Sequence, residues 1–355
     1  MRIDFGLHFF PDMTPQEKSP VDTFRDYLKV VDLVDELKFK VIRIVEHYFE
    51  PYGGYSPNPL VFLAAASQRS RDARLIPGAL LPAFNNPLKM AGEIGMVDAI
   101  SNGRVEAAFA RAFLPHEFER FGISIDESRA RFDEGVEAVR RLLEDEVANF
   151  EGSFVNFRNV TSLPRPTQKP RPRFWVAVLA TPQSFVEAGK KGYGIMANPL
   201  AGARMAELLK LYHQGWRDAG HPGRGPVMIS FRMFCLPDSR EAHKVFERPV
   251  MAHLDAMVAA AVVVEGWGTG KKTKDYPGYD AILKTLKSET YEEQIEKGSV
   301  WVGNPKEVHA QITAYHAEVG GFDIASLNGL PYTMPVELVT RSLRLFAAEV
   351  MPAFQ

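Results

Sequence analysis

Apolar positions along this chain follow two alternating periods. Residues 3–10, IDFGLHFF, alternate apolar with other residues, which predicts a strand. Phe24, Leu28, Val31, Val34 and Leu37 then fall at helical spacing, which predicts a helix running to a Lys-rich end. The rhythm repeats. Strands are predicted at 41–49 (VIRIVEHYF), 74–81 (RLIPGALL) and 104–110 (RVEAAFA), with helices at 60–69 and 88–100 between them and the second helix closed by Ser101, Asn102 and Gly103. A helix at 129–145 and a hairpin-like excursion around FEGSFVNF come next. Strand 173–180, helix 182–190, strand YGIMAN, helix 202–218 and strand 227–236 follow, then a long helix from 239. VWVG, a helix at 305–318, strand FDIASLN and a helix at 335–349 complete the series.

Eight βα units with evenly spaced helices and no Gly-rich dinucleotide turn predict a closed (β/α)8 TIM barrel rather than an open sheet. No Ser/Gly linker or fixed-period repeat divides the chain, so residues 1–355 are expected to form one barrel domain. The rhythm breaks at 265–298, a polar excursion inserted before the eighth strand. Long excursions of this kind in a barrel serve as a lid or a partner surface.

Composition narrows the classes of partner. The 355 residues are 46% hydrophobic and 24% charged with a formal net charge of -2, and no block of like charges stands out. That balance argues against nucleic acid or an acidic membrane surface and favours a small, mostly neutral ligand. The single cysteine, Cys235, excludes an intrachain disulfide and sits in an apolar run. There is no basic region leading into an apolar core and cleavage site, and no window of about 18 apolar residues, so a cytoplasmic location is expected.

Barrels carry their chemistry at the C-terminal ends of strands. His47 follows the second strand's aliphatic run and precedes a loop with Tyr52, Gly53, Gly54, Tyr55 and Asn58. Its imidazole suits general acid/base work, and the residues alone leave open the alternative of a histidine that orients Glu46. His8 ends the first strand and reads as a pocket-lining residue. Metal binding is set aside: Glu46 and His47 are adjacent on a strand and point apart, and PHEFER at 115–120 has Arg120 where a zinc-binding helix needs its second histidine. At 175–185, Thr181 is placed to cap a helix that begins with Pro182 and carries Ser184 in its first turn. Such an N-terminus attracts phosphate, and Arg111, closing the fourth strand, is placed to meet the same group or a carboxylate at the barrel mouth. GWGTGKKT at 266–273 fails the phosphate-loop pattern.

Taken together, these segments resemble the bacterial luciferase-like flavin-dependent monooxygenases. The resemblance runs through IRIVEHYF, SPNPLVFLAA, GALLPAFNNPLKMAGEIGMVDAISNGRVEAAFAR, RFDEGVEAVRRLL, PTQKPRPRFWVAVLATPQSFVEAGKKGYGIM and the closing VGNPKEVHAQITAYHAEVGGFDI and RSLRLFAAEVMPAF. It implies a barrel that binds reduced FMN, reacts it with O2 to a C4a-(hydro)peroxyflavin and transfers one oxygen atom to a small organic substrate. His47, after the acid Glu46, looks like the catalytic histidine. Gly78 and Ala79 look like the pair, often joined by a cis peptide, that lies against the flavin ring. Ala110 and Arg111 resemble positions near the ring and the phosphate, and Leu179, Ala180, Thr181 and Ser184 resemble parts of the phosphate cradle. Val178, Leu179 and Pro182 depart from the luciferase pattern there, and Tyr48 stands where many members have a second histidine.

No nicotinamide site is recognisable, so a separate NAD(P)H:flavin reductase is implied as electron donor, and a homodimer or other oligomer as the assembly. The expected substrate pocket is lined by His8, Phe9, Phe10, Tyr55 and Phe84. Three other readings stand beside it: an oxidoreductase of the same superfamily using the deazaflavin F420, a non-catalytic flavin-binding protein, and a glycoside hydrolase using Glu46, which fits the fold but has no clear second acid at a strand end.

Overall fold

The computed structural model describes residues 1–263, 284 and 286–355. The expected lid segment therefore lies largely outside the described residues. Eleven strands are assigned among them: β1 (Asp4–Phe9), β2 (Val41–Ile44), β3 (Arg74–Pro77), β4 (Ala107–Phe109), β5 (Ala148–Glu151), β6 (Asn156–Val160), β7 (Phe174–Val178), β8 (Gly194–Ala197), β9 (Val227–Cys235), β10 (Val300–Gly303) and β11 (Ile324–Asn328). The helices are α1 (Pro20–Val31), α2 (Pro59–Ser67), α3 (Pro87–Ile100), α4 (Pro115–Arg120), α5 (Ser128–Glu144), α6 (Pro182–Lys190), α7 (Gly202–Asp218), α8 (Ser239–Ala261), α9 (Tyr291–Glu296), α10 (Pro305–Glu318) and α11 (Val336–Glu349).

Eight of the strands form a parallel ring in the order β3-β2-β1-β11-β9-β8-β7-β4. Bridges from Leu75 to Val105 and from Leu80 to Phe109 join its two ends. This is the (β/α)8 barrel read from the sequence. VWVG does not belong to the ring: β10 pairs only with the upper half of β9, from Val300 opposite Arg232 to Gly303 opposite Cys235. The excursion at 148–160 is the antiparallel hairpin β5-β6.

Several predicted elements end early, among them the third strand, expected at 74–81, which stops at Pro77, and two of them have a clear local reason. The first helix stops at Val31, because Leu33 and Val34 bond to carbonyls three residues back and Lys38 adopts φ 62°; Val34 and Leu37 are still buried, but from turns. The second strand stops at Ile44 instead of reaching Phe49. Val45 accepts the Ser56 hydroxyl at 2.6 Å and His47 N–H donates to the Ser56 carbonyl at 3.2 Å, which draws residues 45–48 away from the sheet.

Helix starts repeat one device. Ser19, Asn58, Asn86 and Asn304 each precede a proline at the first helical position, and their side chains accept backbone N–H bonds from the first turn.

Strand alternation sends every second side chain down the barrel axis. At the N-terminal end Arg74 meets Asp4 at 3.2 Å and Glu106 at 3.5 Å, and Trp175 Nε1 donates to Glu106 at 2.5 Å. Above them an apolar plug of Val41, Ile76, Ala108, Trp175, Met196, Met228 and Ile324 closes the barrel. The next level is polar: Arg43 Nη1 donates to the Ser230 and Ser326 hydroxyls, each at 3.1 Å. Higher still the axis is open. His8, Arg232 and Asn328 are partly exposed and Ala177 is exposed, although all four face inward by register.

Trp175 is the largest member of the plug and fully buried. Trp175→Ala is expected to lower stability by about 3–5 kcal/mol, read as a lower urea midpoint at unchanged slope.

Candidate active site

The departure of β2 from the sheet builds the centre of the site. His47, 8% exposed, is covered by the 52–56 loop, which needs Gly53 at its φ of +76°: a Cβ there would lie 2.8 Å from His47 Cδ2. The ring's Nδ1 lies 3.0 Å from Glu117 Oε1, and the same oxygen accepts the Tyr48 N–H at 3.0 Å. A carboxylate oxygen accepts, so Nδ1 carries the proton and Nε2 is left to take or give one. Phe10, Tyr52 and Phe113 enclose the ring at centroid distances of 5.7, 5.0 and 6.0 Å.

A second imidazole–carboxylate pair stands beside the first. His253 on α8 meets Asp12 Oδ2 at 2.8 Å, and its ring lies 4.7 Å from Phe10 and 5.3 Å from Tyr52. Burial, then the Arg232 charge, lowers the His253 pKa against the pull of Asp12. Burial also holds His8 well below the usual imidazole range, helped by Arg43, His253, Arg232 and His47. The Phe10 ring lies 5.9, 5.7 and 4.7 Å from those of His8, His47 and His253, which groups the three imidazoles at the C-terminal mouth of the barrel.

Glu46, 3% exposed, turns away from this space. Its Oε1 accepts from the Tyr48 hydroxyl at 2.6 Å and Asn85 Nδ2 at 2.7 Å, and its Oε2 from Leu81 N–H at 3.3 Å. Burial raises its pKa from 4.5 to about 7, against these hydrogen bonds and with a small push from Glu117. The residue ties the end of β2 to the loop after β3. Of the two residues expected to act in catalysis, His47 faces the barrel mouth and Glu46 does not.

The expected cofactor residues emerge from neighbouring strands. The peptide joining Gly78 and Ala79 is cis, as the resemblance implied. Arg43 lies against it: a Cβ on Gly78 would be 3.0 Å from Arg43 Nη2. With Ala110 and Ala177, these residues carry small side chains or none, which suits the approach of a planar ring. Ala110 and Arg111 follow β4 on the loop that leads to Glu117. Thr181 occupies the N-cap position of α6, but unlike Asn58, Asn86 and Asn304 its side chain makes no cap bond, a departure from the expected capping. Leu179 and Thr181 are exposed and Ala180 and Ser184 half-buried, so this helix start is open to a phosphate.

The family model for luciferase-like monooxygenases matches residues 1–320. The chain belongs to that family. The oxygenase component of the flavin-dependent trigonelline monooxygenase of Acinetobacter baylyi is 26% identical over 362 residues, covering 99% of this chain and 95% of that one. The crystal structure of monooxygenase RslO1 from Streptomyces bottropensis superposes with TM-score 0.88 at 38% identity, covering 99% of this chain and 100% of that one. The oxygenating constituent of 3,6-diketocamphane monooxygenase from Pseudomonas putida, solved with FMN, gives TM-score 0.81 at 21% identity, covers 100% of this chain and 99% of that one, and speaks for the fold. A match to the uncharacterised y4wF of Sinorhizobium fredii, 32% identical, spans 50% of this chain and 51% of that one.

In this luciferase-like monooxygenase the pocket expected from sequence needs revision. Phe10 lies beside the His47 ring, at 5.7 Å. Phe9 points outward and packs on Tyr27 and Phe62, because adjacent strand residues face opposite sides. Tyr55 donates its hydroxyl to the Lys18 carbonyl at 3.0 Å, away from His47. Phe84 stacks on Phe121 at 4.7 Å and lines a separate cleft of about 340 Å³ with Asn85, Asn86 and Arg131. Sequence reasoning missed Glu117, His253, Asp12, Arg43 and Arg232. One signal was available: PHEFER, tested only as a zinc helix, supplies the carboxylate that holds His47.

Glu46 gives a pH test with a definite sign. Its folded-state pKa of about 7 exceeds the ordinary 4.5, so its contribution to stability is full below about pH 4.5 and is lost as pH rises through about 7. That span corresponds to roughly 3 kcal/mol. Urea unfolding of wild type and Glu46→Gln across this range should show the wild type losing stability relative to the variant as pH rises; parallel profiles would contradict a raised Glu46 pKa.

Proposed function

We propose that this chain is the oxygenase half of a two-component flavin monooxygenase. It takes reduced FMN from a separate NAD(P)H:flavin reductase and uses O2 to place one oxygen atom in a small organic substrate, the other leaving as water. One observation carries the reading: in a member of the luciferase-like family, an imidazole oriented by a buried carboxylate opens onto the mouth of the barrel.

The residues present fit the cofactor. Gly78, Ala79 and Ala110 would lie against the flavin ring, while Thr181, Ser184, the first N–H groups of α6 and Arg111 would hold its phosphate. Bound reduced flavin supplies the electrons that activate O2. The protein's share is the proton and the shelter. His47 Nε2 delivers or removes a proton at the reacting atoms, Glu117 fixes the ring's orientation and tautomer, and Phe10, Tyr52 and Phe113 keep bulk water from it. A homodimer and a cytoplasmic location accompany the proposal; among the described residues no helix is long and apolar enough to cross a membrane.

The test is anaerobic titration with reduced FMN, then mixing with isotopically labelled O2 and candidate substrates. Labelled oxygen in the product supports the reading, whereas turnover without O2 would replace it with hydride transfer of the F420 kind. His47→Ala should cut product formation by about 10²-fold or more while reduced FMN affinity changes little, and Glu117→Gln should lose about 10- to 100-fold. Unchanged turnover in both variants would remove the imidazole from the chemistry.

A further inference from the structure

Two guanidinium groups in the barrel make no ion pair with a carboxylate among the described residues. Arg43 is 3% exposed, and its hydrogen bonds go to two neutral hydroxyls, Ser230 and Ser326. Its Nε has no protein partner among the described residues, nor has the buried Nε2 of His8. Arg232, on the same interior face one level higher, reaches the neutral Gln294 Oε1 at 3.4 Å. Each nearby acid has another partner, Asp12 with His253, Glu117 with His47, Glu289 with Lys297, and Glu46 with Tyr48 and Asn85, although one oxygen each of Asp12 and Glu117 stays unpartnered among the described residues and Asp12 and Glu289 act on Arg232 through their charge alone.

Burying an arginine without an anion is unfavourable, and evolution commonly tolerates it where a ligand brings the missing charge. Desolvation depresses the pKa of both arginines, Arg43 to about 10, which leaves Arg43 cationic at neutral pH. His8, kept neutral by the same surroundings, offers one hydrogen bond between them. The guanidinium fork matches two oxygens in a plane. The aromatic rings of Phe10 and Tyr52, 4.6 Å apart, stand at the same mouth and suit a flat body attached to that group.

We propose that Arg232, with Arg43 and His8, recognises an oxyanion of the substrate, so that the molecule oxygenated here is a planar organic acid: a carboxylate, or an ionised phenol or enol. This rests on the oxygenase reading only for the word substrate; the site itself is a property of the barrel. It departs from the mostly neutral ligand expected from net charge, because the relevant charge is local.

Reduced flavin is another planar oxyanion, and the test separates the two. Benzoate and its neutral isostere benzamide are titrated calorimetrically into the full chain, flavin-free and loaded with FMN. The proposal expects benzoate to bind at least tenfold more tightly than benzamide in both forms. Arg232→Gln should abolish that preference with FMN affinity unchanged, and Arg232→Lys, which keeps the charge and loses the fork, should restore part of it. Three results overturn the proposal: equal affinities, a preference that survives Arg232→Gln, or a preference that vanishes once FMN is bound while Arg232→Gln weakens reduced FMN selectively. The last would assign the cations to the flavin. Benzoate recognition through Arg232 in a chain that yields no labelled product would sink the oxygenase reading and leave this site standing.

Discussion

A closed ring of parallel strands offers its inward side chains no place except the axis, and everything functional in this protein follows from how that axis is filled. Eight strands converge on a space a few side chains wide, so each level must be either packed or hydrogen-bonded. The lower levels satisfy this with an ion cluster around Arg74 and a plug centred on Trp175. The level above uses one long side chain, Arg43, to reach from β2 to serines on β9 and β11. Above that point the inward side chains His8, Arg232 and Asn328 are only partly buried among the described residues, and they line the mouth of the barrel.

The mouth is furnished by connections rather than by strands. Phe10 and Asp12 follow β1, His47 and Tyr52 follow β2, Glu117 comes from the short helix after β4, and His253 is carried by α8. Each imidazole receives a carboxylate from a different connection, so the two pairs stitch together segments distant in sequence. A buried hydrogen bond to an ionised group contributes about 1.5–3 kcal/mol, and losing one partner leaves the other uncompensated. Orientation of the reactive ring and cohesion of the loops are therefore the same interaction.

The barrel was legible because its signals are local and periodic. The strand–helix rhythm needs only neighbouring residues, and predicted bounds such as 182–190 and 202–218 coincide with α6 and α7. His47 was legible from its place after an aliphatic run. Its partner was not, because Glu117 lies 70 residues away and nothing near it in sequence refers to His47. The buried arginines were hidden for a related reason. Arg43 sits inside VIRI, where alternation reads equally well with its side chain directed to solvent; only closure of the ring makes that face the interior. Phe9 shows the converse error: grouping it with Phe10 ignored the alternation that had identified the strand.

Helix α4 concentrates these dependencies in six residues. A helix so short has almost no stability of its own, since nucleation consumes what few bonds it can form. It persists because Pro115, His116, Glu117 and Phe118 are buried. His116 reaches the Tyr48 carbonyl at 3.1 Å and the Ala260 carbonyl at 3.0 Å, while Glu117 takes the Tyr48 N–H and the His47 ring. Both backbone polar groups of Tyr48, its N–H and its C=O, and with them the backbone that carries His47, are thus fixed by consecutive residues of one turn. The same turn holds the end of α8, so any displacement of that helix must either break the His116 contact or move the His47 imidazole.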